Sequence, residues 1–136
     1  MNRRQVNIVL GNREEALNEY YVQAIRQARP DIEFIFNVAT TVPDFIRLAC
    51  DKRSDLALFM PPGNIASDPA RPDATPQEDA VHIVTTIKAM NPISVIVVAA
   101  SPVAAEALLA AGADQFIHVP AMSAEIESAL AACLKL

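Results

Sequence analysis

Hydrophobic and polar positions along the chain fall into blocks with two alternating periods. Five short blocks are rich in apolar, mostly β-branched residues and have the length of strands: residues 6–11, 33–39, 55–60, 93–100 and 115–119. In the blocks between them, apolar side chains recur every three or four residues, as they do on the buried face of a helix. The pattern predicts five strands that alternate with five helices.

Capping residues and prolines mark where the predicted helices begin. Asn12 with Glu15 three residues later resembles a capping box. Thr75 is a predicted N-cap, with Pro76 in the first turn and Glu78 at the third position. The predicted helices cover residues 13–29, 44–50, 76 to about 90, 102–111 and the end of the chain after a cap at Ser123.

The composition of the strands predicts where each one lies in the sheet. Strands three and four are almost entirely apolar, as expected when helices cover both faces of a strand. Strands two and five carry polar breaks, at Glu33 and Asn37 and at Gln115 and His118, which suits the edges. We therefore predict one flavodoxin-like α/β domain over residues 1–136, with a parallel sheet of five strands in the order 2-1-3-4-5 and helices on both faces.

Charge and hydropathy argue against several classes of protein. The net charge is −5 and the 11 basic residues are scattered, which argues against a surface for nucleic acid. No apolar run approaches the roughly 18 residues of a membrane span, and the chain starts without a secretory signal pattern, so we expect a cytoplasmic protein with no membrane segment. Cys50 and Cys133 form no CxxC pair and have no histidine at ligand spacing, so neither a metal nor another cofactor is expected.

One segment interrupts the regular spacing of strands and helices. Residues 61–75 contain four prolines, one glycine and two aspartates, which is too polar and too rich in proline for a helix or a strand. A loop of this length in a compact domain is either functional or mobile. Because it follows the third strand, it is expected near the carboxyl edge of the sheet, where ligands bind in open parallel sheets.

Three segments resemble the receiver domain of bacterial two-component response regulators. Residues 112–120, Gly-Ala-Asp-Gln-Phe-Ile-His-Val-Pro, are similar to the family pattern Gly-Ala-Asp-Asp-Tyr-Leu-Val-Lys-Pro. Residues 55–61 are similar to Asp-Leu-Val-Leu-Leu-Asp followed by proline, and residues 92–100 are similar to Pro-Ile-Pro-Val-Ile-Val-Leu-Thr-Ala. With the matching spacing of all five units, the resemblance covers the whole chain and implies a CheY-like fold.

The resemblance ends at the residues that carry the family's chemistry. Receiver domains hold Mg²⁺ with two acids after the first strand and accept phosphate on an aspartate after the third. A hydroxyl residue on the fourth strand and a lysine after the fifth contact the phosphate. The corresponding positions here are Gly11 and Asn12, Met60, Ala99 and Val119. Because a thioether forms no acyl phosphate and Mg²⁺ prefers carboxylates, the resemblance implies a pseudo-receiver that takes up no phosphate.

Three more positions match structural residues of the family. Pro120 matches a proline whose peptide bond, as the resemblance implies, is cis. Gly112 matches the glycine that opens the fifth-strand motif, and it also suits the end of the fourth helix. Phe116 occupies the position of the family's aromatic switch residue. In the family, that ring is coupled to the hydroxyl that Ala99 lacks, so packing or contact with a partner is expected for Phe116.

Two functions follow as hypotheses, and no enzymatic activity is expected because no nucleophile–base pair is visible. The first is a phosphorylation-independent signalling module that binds a protein partner, or a second copy of itself. The second is a small-molecule sensor with its ligand at the carboxyl edge under residues 61–75. In a third arrangement, Asp68 or Asp73 folds back over the strand ends and supplies carboxylates.

The partner surface implied by the resemblance is the face of the fourth helix, fifth strand and fifth helix, with candidate contacts at Glu106, Gln115, Phe116, His118 and Glu127.

Overall fold

A computed structural model describes residues 4–60, 65, 68–100, 102–119 and 123–135. Strands and helices alternate along the chain, as predicted. The strands are β1 (Arg4–Gly11), β2 (Ile32–Ala39), β3 (Leu56–Phe59), β4 (Ser94–Ala99) and β5 (Gln115–His118). The helices are α1 (Glu15–Ala28), α2 (Val42–Ala49), α3 (Pro76–Met90), α4 (Pro102–Ala110) and α5 (Ser123–Leu134). Among the described residues, no helix is long and apolar enough to cross a membrane.

The five strands form one parallel sheet in the order β2-β1-β3-β4-β5, which confirms the predicted topology. All four residues of β3 are buried, and so are all those of β4 after Ser94, as expected for central strands. β2 and β5 are the edges. The polar breaks in these two strands were therefore a correct guide to their places.

Helices cover both faces of the sheet and bury two apolar clusters. Along β1, Ile8 and Leu10 belong to the cluster beneath α1 and α5, whereas Val9 belongs to the cluster beneath α2, α3 and α4. Tyr21 of α1 is in the first cluster and Phe45 of α2 is in the second. This alternation follows from the two-residue period of a strand, which sends successive side chains to opposite faces.

Two aspartates join neighbouring strands at the amino edge of the sheet. Asp55 donates its backbone N–H to the Asn7 carbonyl at 2.9 Å, and its carboxylate accepts the Asn7 N–H at 2.8 Å. Asp114 makes the same two contacts with Val95, each at 2.8 Å, and its carboxylate also accepts a hydrogen bond from Lys88 Nζ at 2.9 Å. These acids therefore set the register of β3 and β5 at the edge opposite the carboxyl ends.

The helix start predicted from the cap at Thr75 is confirmed. Thr75 Oγ1 accepts the Glu78 N–H at 3.1 Å, and the Glu78 carboxylate accepts the Thr75 N–H at 3.0 Å, which is a complete capping box. The box expected from Asn12 and Glu15 is wrong, because the N-cap of α1 is Glu14, which makes no side-chain cap. Asn12 directly follows the buried end of β1, so its side chain is drawn into the protein instead.

Two residues decide where α2 begins and where α4 ends. Thr41 Oγ1 accepts the N–H of Asp44 at 3.3 Å, so α2 starts two residues earlier than predicted. Gly112 has a φ of +121° and follows α4, where the Ala113 N–H bonds back to the Leu108 carbonyl at 3.0 Å. A residue with a side chain rarely adopts this φ, so glycine is needed to end the helix here.

Candidate functional site

The positions that correspond to the family's phosphate site lie at the carboxyl edge of the sheet. Gly11 ends β1 and pairs with Phe59 of β3, and the N–H of Met60 donates to the Gly11 carbonyl at 3.3 Å. On the other side, Val119 donates its N–H to the Ala99 carbonyl at 3.1 Å. The sheet therefore brings Gly11 next to Met60 and Ala99 next to Val119, as neighbouring strand ends.

Gly11 leaves no room for a side chain. A Cβ atom at this position would lie 2.7 Å from Phe45 Cδ1 and 2.9 Å from Phe59 Cβ. The two rings pack against each other with their centroids 5.3 Å apart, and both are fully buried. An aspartate at this position could be accommodated only if the Phe45–Phe59 pair moved, because buried cores are close-packed.

Asn12 is fully buried and makes contacts that hold the first turn of α1. Its backbone N–H donates to the Ala39 carbonyl at 3.1 Å, and its side-chain Nδ2 donates to the Glu14 carbonyl at 3.2 Å. Its own carbonyl accepts Asn18 Nδ2 at 2.8 Å. The Oδ1 atoms of Asn12 and Asn18 are buried without a hydrogen-bond partner. Asn12 therefore stabilises the start of α1 through these contacts, and its side chain offers one neutral oxygen.

Met60 and Ala99 are part of the apolar core. Met60 is 4% exposed and packs in the cluster beneath α1 and α5, whereas Ala99 is 2% exposed and packs in the cluster on the opposite face. A thioether and a methyl group need no hydrogen-bond partner, so burying these two side chains leaves no polar group unpaired. Neither side chain can hold or transfer an anion.

The end of β5 is more exposed than the other strand ends. Val119 is 40% exposed, and His118 is exposed with its ring centroid 6.2 Å from that of Phe116, edge to face. Phe116 is half-buried and packs against the cluster beneath α2, α3 and α4. Its ring thus serves the core on one side and is open to solvent on the other. Pro120 lies outside the described residues.

The residues at this edge do not fit Mg²⁺. The ion prefers carboxylate oxygens in an octahedral arrangement, and it gives up its water reluctantly. Among Gly11, Asn12 and Met60, the side chains offer one amide oxygen and no carboxylate. Within the described ranges, no three histidine, cysteine or acidic side chains converge on one point.

The described part of the 61–75 segment consists of Ile65 and residues 68–75. Ile65 is buried in the cluster beneath α2, α3 and α4. Asp68 Oδ1 accepts the Ala70 N–H at 2.8 Å, and the Asp68 carbonyl accepts the Arg71 N–H at 2.9 Å, which forms a turn. One oxygen of Asp68 therefore stabilises its own turn, and Asp73 is exposed. The rest of the segment, including the prolines at 61 and 62, lies outside the described residues.

The candidate partner residues do not all face the same way. Glu106 is exposed on α4, and Gln115 is half-buried on β5. Glu127 is exposed on α5, but its charge reaches Arg29 at the end of α1. The pKa of Arg29 is raised first by its hydrogen bond to Asp31 and, to a smaller extent, by the charges of Asp31 and Glu127. Glu127 is therefore close enough to the end of α1 for its charge to act on Arg29.

Sequence reasoning missed a buried acid at the start of α3. Asp79, in the first turn of α3, is 4% exposed, and its Oδ1 has no hydrogen-bond partner. A buried, unpaired carboxylate oxygen is uncommon, since its water is lost without replacement. The spacing of apolar residues in α3 did not indicate that Asp79 is buried, because an aspartate in the first turn of a helix is usually exposed.

Three cavities bounded by described residues lie around β2. Their volumes are about 270, 360 and 600 Å³. The largest contains Asn18, Val22 and Val38, and the smallest contains Ile35 and Leu48. None of these three is lined by a residue of the former phosphate site, so they give the sensor hypothesis no support.

Known structures share this fold at low sequence identity. No family model matches the sequence, and no curated protein matches it. The chain is similar to the signal receiver domain of a protein assigned as the response regulator NarL from Mycobacterium tuberculosis. The TM-score is 0.73 at 19% identity, with 97% of this chain and 98% of that chain covered.

Two other structures with this fold differ from that one in their described roles. One is an atypical orphan response regulator with a phosphorylation-independent regulatory mechanism, with TM-score 0.65, 18% identity, and 96% of this chain and 93% of that chain covered. The other is a protein assigned to pilus assembly (cpaE) from Burkholderia thailandensis, with TM-score 0.70, 12% identity, and 96% and 99% covered. Together the comparisons show the receiver fold, as the sequence resemblance implied.

Proposed function

We propose that this chain is a pseudo-receiver, a module that acts in signalling or regulation by binding a protein and that takes up no phosphate. One observation carries the proposal: Met60, which the resemblance matches to the phosphate-accepting aspartate, is a buried core residue. Beside it, Gly11 has no space for the metal-binding acid of the family. Phosphoryl transfer needs an anionic oxygen and cations that offset the charge of the moving group, and neither is supplied here.

The described chemistry of the chain also favours binding over catalysis. Burial raises the pKa of the Cys50 and Cys133 thiols, so both are protonated and weakly nucleophilic at neutral pH. His82 Nδ1 lies 3.3 Å from the Thr86 hydroxyl one turn along α3, and the His118 ring contacts the Phe116 ring. The proposal therefore assigns no enzymatic activity to the domain.

The fold comparison lends further support. One structure of the same fold belongs to a response regulator described as phosphorylation-independent. A receiver fold can thus regulate without phosphate chemistry. The apolar former site of the present chain is consistent with that mode of action.

The surface of α4 and β5 is the proposed site of partner binding. Val103 is 78% exposed and Leu109 is 42% exposed on α4, which packs against β5, the strand that carries Phe116 and His118. Exposed apolar side chains next to a half-buried aromatic ring are typical of the centre of a protein interface. Glu106, the one charged residue of α4, would then face a basic group of the partner.

The absence of phosphate chemistry is tested by NMR titration with Mg²⁺ and then with beryllofluoride, a phosphate mimic. The amide signals of Gly11, Asn12 and Met60 are expected to stay unchanged at concentrations that saturate an active receiver domain measured in parallel. Specific, saturable shifts at these three amides would overturn the proposal.

The partner surface is tested by charge reversal. Glu106→Lys is expected to weaken capture of a partner at least tenfold, whereas Glu127→Lys, on the side of α5 towards α1, and Glu19→Lys, on α1, are matched controls that should bind like the parent. If a partner bound all three variants equally, the α4–β5 surface would be removed as its binding site.

A further inference from the structure

β2 is an open edge of the sheet and has few features that prevent pairing. It is eight residues long, compared with four residues for β5 at the other edge. It contains neither proline nor lysine, and Glu33 is its single charged residue. Edge strands in soluble proteins are usually short, charged or interrupted, because their free N–H and C=O groups otherwise pair with another strand.

Apolar side chains are exposed on both faces of this edge strand. Ile35, on the face of α2, is 39% exposed, and Val38, on the face of α1, is 46% exposed. Phe36 is half-buried, with the Arg26 guanidinium 5.2 Å above its ring. Each of these side chains would lose water if a further strand were added beside β2.

Three cavities bounded by described residues border β2. The one of about 270 Å³ lies beside Ile35 and Asn37 on the α2 face. The other two, of about 360 and 600 Å³, lie on the α1 face, beside Ile32 at one end of the strand and Val38 at the other. An added strand places alternate side chains on the two faces, so it would present them to cavities on both sides.

We infer that β2 pairs antiparallel with β2 of a second copy of this chain, about a twofold axis through Ile35. Directly opposed residues of an antiparallel pair point to the same face of the sheet, whereas successive residues of one strand point to opposite faces. An axis between two residues of β2 would oppose side chains on different faces, so the axis must pass through a residue. The axis at Ile35 opposes Ile35 to its own copy. It also opposes Phe34 to Phe36, Ile32 to Val38, and Glu33 to Asn37.

This register matches side chains that stabilise a sheet. Aromatic and β-branched cross-strand pairs are each favourable, and like charges directly opposite are not. Glu33 faces the amide of Asn37, which can donate a hydrogen bond to its carboxylate. An axis at Phe36 would instead oppose Ile35 to Asn37, and an axis at Phe34 would oppose Glu33 to Ile35.

The cavities fit the same arrangement. Val38 of the second copy would lie opposite Ile32, beside the cavity that Ile32 and Phe34 line. Ile32 of the second copy would lie opposite Val38, beside the largest cavity. The dimer forms a continuous sheet of ten strands and leaves both α4–β5 surfaces at its outer ends, so it does not depend on the proposed partner site.

Sedimentation velocity of the full chain over a wide concentration range tests the dimer. The parent is expected to dimerise, and more strongly at high salt, because each copy carries a net charge of −5 that salt screens. Ile35→Lys should weaken dimerisation at least tenfold, since it opposes two cations on the axis. Met90→Lys at the end of α3, at a more exposed apolar position, is the matched control, and Val103→Lys on α4 tests whether the α4–β5 surface forms the contact instead.

Three results would overturn the inference. They are a parent that is monomeric at every concentration, a dimer that survives both Ile35→Lys and Val103→Lys, and a dimer lost in Val103→Lys but kept in Ile35→Lys. The last result would place the contact on the α4–β5 surface. Circular dichroism of each variant separates loss of pairing from loss of folding.

Cross-linking tests the register in a background with Cys50→Ser and Cys133→Ser. Ile35→Cys should form a symmetric disulfide between copies, because opposed Cα atoms lie about 4.5–5.5 Å apart, within the range of a disulfide. Glu33→Cys alone should not cross-link, since its copy would be roughly 14 Å away along the strands. A chain that carries both Glu33→Cys and Asn37→Cys should cross-link, because these two positions are opposed in the dimer. A cross-link in Glu33→Cys alone, or none in Ile35→Cys, contradicts this register.

Discussion

The ring of Phe45 fills the space that a side chain at Gly11 would need. A Cβ atom at Gly11 would come within 2.7 Å of Phe45 Cδ1. The ring is fully buried and packs against Phe59, so it has little freedom to move aside. A glycine at the end of β1 and an aromatic residue at the inner face of α2 therefore depend on each other. This pair fills the place to which the sequence resemblance assigns a metal-binding acid of receiver domains.

Gly11→Ala is expected to lower the free energy of unfolding by about 1–3 kcal/mol, the usual cost of overpacking a core. Phe45→Leu in the same chain should reduce that cost, because it removes the nearest ring atoms. The recovery should be partial, since Phe59 Cβ remains 2.9 Å away. A double-mutant cycle by urea unfolding measures the coupling. Additive effects, or a Gly11→Ala variant as stable as the parent, would show that the core yields more easily than the contacts indicate.

Met60→Asp should not restore phosphorylation. Met60 is 4% exposed within an apolar cluster, so a carboxylate there loses its water without a partner, and we expect a loss of about 3 kcal/mol or more in stability. Met60→Leu, which keeps the volume and polarity, should cost less than about 1.5 kcal/mol. Incubation with acetyl phosphate, followed by intact mass measurement, should detect no phosphate on folded Met60→Asp. Uptake of one phosphate by this variant would mean that a single substitution suffices to revive the site.

The capping box of α3 makes stability depend on pH. Hydrogen bonds from Thr75, first from its backbone N–H, lower the pKa of Glu78 below its ordinary 4.5. A carboxylate with a lowered folded pKa stabilises the fold above its unfolded pKa, and this contribution is lost as pH falls through the folded value. Thr75→Ala should lower the free energy of unfolding by about 1 kcal/mol at pH 7, the usual cost of losing a threonine cap.

The same variant should bring the pKa of Glu78 back towards its ordinary value, which NMR titration of the side-chain carboxyl measures. Glu78→Gln is the control, because glutamine keeps the geometry of the box but cannot titrate. It should lose the part of the pH dependence that arises below pH 4.5 and keep most of the cap. A Glu78 pKa that stays low in Thr75→Ala would assign the shift to other groups.

Asp79→Ala is expected to raise stability. Its Oδ1 is buried without a hydrogen-bond donor, and removing such a group relieves a desolvation cost of about 1–3 kcal/mol, set against a smaller loss of interaction with the helix dipole. Asp44→Ala, at an exposed position in the first turn of α2, is the matched control and should leave stability unchanged or slightly lower. Denaturant unfolding of both variants decides the matter. A clear loss of stability in Asp79→Ala alone would mean that the buried carboxylate has a structural role.

Much of the fold could be predicted from local pattern. The apolar character of residues 56–59 and 95–99 placed two strands at the centre of the sheet, and the polar breaks in β2 and β5 placed these at its edges. Thr75 and Glu78 marked the start of α3 because capping is decided within four residues. The same reasoning was wrong for Asn12, since burial at the end of β1 outweighed a local cap.

The candidate site was predicted less completely. The residue types at the former phosphate site could be read from motifs, because spacing along five strand–helix units leaves little freedom in alignment. The proximity of Glu127 to Arg29 could not be read from motifs, since it depends on how α5 packs against α1. The burial of Asp79 was equally hidden, because the surroundings of a first-turn acid come from elements distant in the chain.

The sequence alone determined that this chain alternates strands with helices, and its resemblance to receiver domains matches methionine, alanine, valine and glycine to positions where those domains carry acids, a hydroxyl and a lysine. These features depend on residue type and short-range periodicity, which are present before folding. Only the tertiary structure decided that Gly11 has no space beside Phe45 and that β2 exposes apolar side chains on both faces. Contacts between residues far apart in the chain exist only once the sheet and its helices have packed together.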